Sequence, residues 1–249
     1  MPRKRPYSTP YSRVTILDAQ KRLGVVLNDI PLVALNEMLA TGIHTLEKVQ
    51  VDATKILIYE WLSRLLQAEG FPDDQLVEFK EANICDFVAA FLIPVVSDLS
   101  PVREIRLYRE KGVVATDWET GGNEDFVAME KVEIGERERF IFILEAKRDN
   151  VGEATKQCLL AMKDSWENNN HEIKGGYIYG FVTTATSWDM YRYDGKSFAA
   201  VYKLPGVVRG MQKNKEEWLK HQSIIVDCLF CALCHGGQGV TRKYGKKGS

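Results

Sequence analysis

Apolar positions along this chain change their period near residue 100. Before it the spacing is helical. From Ile16 to about residue 50 it comes in short pieces broken by Pro31 and Gly42. "DATKILIYEWLSRLLQAEG", residues 52–70, is a firmer helix, with Asp52 as cap, Ile56, Leu57, Trp61, Leu62, Leu65 and Leu66 at helical intervals and Gly70 as stop. "QLVEFKEANICDFVAAFLIPVVSDLS" continues with Ile84, Phe87, Val88 and Phe91 on one face. Strand patterns follow in "REIRLYRE", "EDFVAMEKVEI" and "RFIFILEAK", the last apolar enough to sit centrally. "VGEATKQCLLAMKDSWENNN" returns to an amphipathic helix, "GGYIYGFVTTAT" to a strand. "SWDMYRYDGKSFAAVYKL" reads as two strands about the Asp194-Gly195 turn. "KEEWLKHQSIIVDCLFCALCHGG" is a closing helix stopped by Gly236 and Gly237. No internal repeat is visible. A helix between the third and fourth strands implies parallel pairing. The expected fold is therefore α/β, a mixed central sheet flanked by helices, with a helical N-terminal extension. The expected boundaries are a basic tail over 1–15, a helical region over 16–75, the main domain over 76–240 and a second basic tail over 241–249.

Composition changes this picture little. The 249 residues are 45% hydrophobic and 27% charged, ordinary values for a globular chain able to bury a large core. The net charge of −1 supplies no global attraction to nucleic acid or membrane. Its distribution is uneven: Arg3, Lys4, Arg5 and Arg13 open the chain without an acid, and Arg242, Lys243, Lys246 and Lys247 close it likewise. These ends read either as solvated tails or as phosphate-attracting arms, and "PRKRP" also reads as a short nuclear-import signal. No apolar leader core and no stretch of transmembrane length is expected, so the reading is intracellular and without membrane contact. Five cysteines, an odd number in apolar surroundings, suit free thiols in a reducing compartment.

The chemistry-bearing residues gather where the third strand ends. Glu145 and Lys147 are two apart and share a strand face. Asp125 opens the preceding strand, so a hairpin brings it beside Glu145. Two carboxylates in one partly buried place repel, and a divalent cation resolves that conflict. Oxygen ligands suit Mg2+ or Mn2+. Lys147 then orients or helps deprotonate a water and offsets charge on a phosphate. Gln157, in the next helix, holds a water or a phosphate oxygen. Taken alone, Glu145-x-Lys147 also reads as an ordinary ion pair on an exposed strand.

"EDFVAM", "FIFILEAKRD", "EATKQCLLAM" and "YIYGFVTTATSWDMYRYDG" together resemble the PD-(D/E)XK, restriction-endonuclease-like, nuclease superfamily over residues 78–203. The resemblance is closest to nuclease-like domains of Crinkler-type fungal and oomycete effectors. It implies metal-dependent phosphodiester hydrolysis of DNA, with Asp125, Glu145, the Ala146 carbonyl and Glu81 holding Mg2+ or Mn2+, Lys147 positioning the attacking water and Gln157 in support. Arg148 is a candidate phosphate contact. Asp86 and Glu60 are weaker candidates for the helix carboxylate. Such nucleases often pair as homodimers to cut both strands. Two features depart from the pattern: "GNED" replaces the usual Pro-Asp, leaving Glu124 as an adjacent register, and no ubiquitin-like translocation region is visible. The alternatives are an RNA endonuclease and an inactive nuclease-like module that binds nucleic acid or protein.

Other groups carry competing readings. Cys228, Cys231, Cys234 and His235 lie along one helix, which suits core packing better than tetrahedral zinc. A redox or oligomer contact is the remaining reading for them. His44 reads as a turn residue or as an added manganese ligand. Trp188, Tyr191 and Tyr193 read as a packed face or as a base-stacking surface.

Overall fold

The computed structural model describes residues 6–40, 46–73, 79–132, 137–169 and 176–237. The architecture is mixed α/β. Seven strands form one sheet: β1 Thr9–Pro10, β2 Ile105–Val114, β3 Thr120–Val132, β4 Arg137–Ala146, β5 Ile178–Thr183, β6 Ser187–Tyr193 and β7 Phe198–Pro205. The order runs β2-β3-β4-β5-β6-β7, with β1 also on β3. Antiparallel pairs make up this sheet except β4 with β5 and β1 with β3. The β4–β5 pair is the parallel crossover that the intervening helix requires.

Helices cover both faces. On one lie α2 Leu35–Ala40, α3 Lys48–Glu69, α4 Glu81–Leu99 and α7 Ile224–His235, whose Ile58, Leu62, Phe87, Phe91 and Leu229 pack with Phe126, Phe142, Leu144 and Phe181. On the other lie α1 Ile16–Leu23 and α5 Val151–Asn168, whose Ala19, Leu23, Leu159 and Met162 pack with Val127, Ile143 and Val182. A three-residue turn, α6 Lys215–Glu217, and a π-helical stretch, Trp218–Gln222, lead into α7. Cys228, Cys231 and Cys234 are buried on α7, and Trp188, Tyr191 and Tyr193 are buried in the sheet.

Two expectations change. Residues 6–15 are not a tail: Thr9 and Pro10 pair with Thr120 and Gly121, and Tyr11 is buried. The cause is a buried carboxylate far along the chain. Asp164 accepts from Tyr11 Oη at 2.7 Å, Thr120 Oγ1 at 3.1 Å and Arg22 Nη2 at 3.0 Å. The helical N-terminal part is present, with α1 in one core layer and α2 and α3 in the other. Finally, α4 is long and apolar enough to cross a membrane by length and composition. Here it fills the core between the sheet, α3 and α7. Residues 241–249, Arg3 to Arg5 and His44 lie outside the described residues.

Candidate functional site

The site lies where β3 and β4 part. Ladder pairing runs from Val132–Arg137 to Phe126–Leu144 and stops. Gly121 pairs with Val114 of β2 on one edge and with Pro10 of β1 on the other. Hence β1 occupies the edge that β4 has left. Asp125 stands at this fork and its Oδ2 accepts from the Ala146 N–H at 2.8 Å, bridging the diverging strands. Beyond Ala146, the Lys147 N–H donates to Thr183 O at 2.9 Å, which keeps the chain on β5 for one more residue. Asn150, in the left-handed region at φ 53°, then caps α5 by accepting from the Glu153 N–H.

Lys147 is the centre of the cluster. Its Nζ lies 2.9 Å from Glu81 Oε1, 3.5 Å from Glu145 Oε2 and 3.7 Å from Asp125 Oδ2. Glu81 reaches it from the first turn of α4, a position favourable for a carboxylate. Burial opposes the lysine's charge, but Glu145, Asp125 and Glu81 outweigh it and hold the ammonium well above its ordinary pKa. Burial raises the pKa of Asp125, against Lys147 and the Ala146 N–H. The neighbouring Cys85 thiol is pushed up to about 11 by burial and the nearby Asp125, and so stays protonated.

Behind this cluster is a second carboxylate pair. Glu124 and Glu145 are 1% and 2% exposed, and Glu124 Oε2 and Glu145 Oε1 are buried without a hydrogen-bond partner. Burial and the facing Glu145 carboxylate push Glu124 well above the ordinary carboxylate range, and burial raises Glu145 too. Strand alternation does not predict this placement. Phe126 packs on the α4 side, so Glu124 belongs there as well by parity. Instead Glu124 faces α5, within reach of Cys158 and beside Gly122. Across from Asp125, Glu110 of β2 adopts φ 51°, and the ladder skips both residues. This local irregularity turns Glu124 toward Glu145.

The predicted residues are therefore partly assembled. Glu81, Asp125, Glu145 and Lys147 come together. Gln157 gives its hydrogen bond to Glu153 Oε1 at 3.3 Å, one turn back. Ala146 contributes its N–H to Asp125. Arg148 pairs with Asp149 at 3.1 Å, Asp86 with Arg109 at 3.8 Å and Glu60 with Lys215 at 3.3 Å. Glu124, read from the sequence only as an adjacent register for Asp125, joins the site in its own right. Among the described residues, no group of three or more His, Cys, Asp or Glu forms a ready-made metal cage. The donor set fits a hard cation nonetheless: two buried carboxylate oxygens at the fork have no hydrogen-bond partner, with Lys147 as the one cation beside Glu145 among the described residues. No family model, curated protein or solved structure matches the chain.

Proposed function

We propose that this chain is a metal-dependent nuclease of the PD-(D/E)XK type, acting on DNA. The observation that carries the reading is the convergence of Asp125, Glu145 and Glu81 on Lys147 at a strand fork, backed by the unpartnered oxygens of Glu124 and Glu145. Asp125 and Glu145, with Glu124 and Glu81 in support, would hold Mg2+ or Mn2+. Such an ion supplies Lewis acidity toward a phosphodiester and neutralises the carboxylates. The chain's own groups divide the remaining work. Ala146 N–H fixes the rotamer of Asp125. Lys147, held as an ammonium, acts as donor and counter-charge to a phosphate and orients a water, rather than accepting its proton. An intracellular, nuclear site of action accords with DNA as substrate and with "PRKRP".

The test is cleavage of single- and double-stranded DNA and RNA with Mg2+, Mn2+ or EDTA. Lys147→Ala and Asp125→Ala are each expected to lower metal-dependent cleavage by ~100-fold or more, with circular dichroism unchanged. Full activity in both variants would remove the assignment, and cleavage of RNA alone would move the substrate to that polymer.

One observation favours a second reading, an inactive module that binds nucleic acid or protein. Lys147 already neutralises three carboxylates, so the network closes without a metal. Calorimetry with Mn2+ separates the two: the nuclease reading requires a site lost in Asp125→Asn, the module reading no such site.

A further inference from the structure

The segment expected to be a tail builds one wall of a pocket beside the carboxylates. The pocket has a volume of about 310 Å³, and its lining includes Tyr7, Pro10, Arg13, Gly122, Asn123 and Gln157. Backbone forms its floor. A Cβ at Gly121 would collide with the Tyr7 ring, and one at Gly122 with the Tyr11 ring. The same Gly122 Cβ would stand 3.2 Å from Glu124 Oε1, so the floor adjoins the buried carboxylate pair. Tyr11 directs its hydroxyl away to Asp164, which anchors the wall.

The chemistry of the lining selects its occupant. It contains two tyrosines, a proline, a serine, two amides and one guanidinium, and no carboxylate. Arg13 is exposed and forms no ion pair among the described residues, so its charge is available to an anion. A planar ring against Tyr7 and Pro10, with a phosphate at Arg13, satisfies all of these features. The volume lies at the lower end of small-ligand sites, ~300–1,000 Å³, enough for one nucleotide unit.

We propose that this pocket takes one unpaired nucleotide of the substrate strand, next to the bond that is cut. The proposal rests on the nuclease reading for its substrate and adds a requirement for single-stranded character at the site. A base reaches such a pocket only when unstacked, and stacking on an aromatic ring tolerates any base.

The experiment titrates 2′-deoxyadenosine 5′-monophosphate, and separately inorganic phosphate, into the full chain in EDTA. Wild type, Arg13→Ala and Tyr7→Ala are compared by calorimetry. Expected is a single saturable site for the nucleotide in wild type, weakened roughly tenfold or more by Arg13→Ala. Tyr7→Ala weakens the nucleotide and leaves phosphate binding unchanged. Nucleotide affinity equal in wild type and Arg13→Ala, or absent in wild type, overturns the proposal. Metal-dependent cleavage by a chain that binds no nucleotide removes the pocket and leaves the nuclease. Arg13-dependent binding by a chain that cuts nothing removes the nuclease and leaves a nucleotide site.

Discussion

Glu124 and Glu145 face each other in the core, and their burial makes stability depend on pH. The folded-state pKa of Glu124 is raised, first by desolvation and then by Glu145. A carboxyl raised in this way favours the fold while protonated. Its contribution is complete below the ordinary glutamate value and is lost as pH climbs through the raised one. Glu124→Gln cannot ionise. In EDTA it should match wild type near pH 4 and exceed it at pH 7 by up to about 3 kcal/mol, at about 1.4 kcal/mol for each pH unit that the carboxyl is held protonated above its ordinary value. Urea melts across pH check this. A variant less stable than wild type at pH 7 would mean that Glu124 has a compensating partner in the folded protein.

Among the elements, the arm around β1 depends on Asp164 of α5. Tyr11→Phe removes one of three donors to that carboxylate and should cost about 1.5–3 kcal/mol, the range for hydrogen bonds to charged groups. It should also speed limited proteolysis between residues 6 and 15. Equal stability and equal cleavage would show that the arm is held by β pairing alone. Strands β2 to β7 and α5 were legible because hydrophobic period alone separates them, and the β3–β4 hairpin followed from two adjacent strands with a short connection. Asp125, Glu145 and Lys147 were legible for the same reason. Glu124 was not, because its direction depends on a break in alternation opposite Glu110, which is set by β2 pairing. The arm was hidden too. Arginines and prolines suggest a solvated end, and the residue that buries Tyr11 lies 153 positions away.

For the whole molecule, a net charge of −1 leaves attraction to a polyanion to local clusters. Removing residues 241–249 deletes Arg242, Lys243, Lys246 and Lys247. If all four neutralise phosphates, the log–log salt slope of DNA binding should become shallower by up to ~3.6, at ~0.9 per charge. Fluorescence anisotropy between low and moderate salt measures this, and an unchanged slope assigns binding to the body of the protein. The docking of β1 has a consequence for synthesis. The anchor of Tyr11 is made 153 residues later, a delay of roughly 8–30 s at ~5–20 residues per second. Until Thr120 and Gly121 of β3 are made, a nascent chain carries β1 unpaired, and until Asp164 follows, Tyr11 lacks its anchor. The wall beside the carboxylates is thus translated well before the helix that anchors it, and a polypeptide stalled before α5 has no closed pocket.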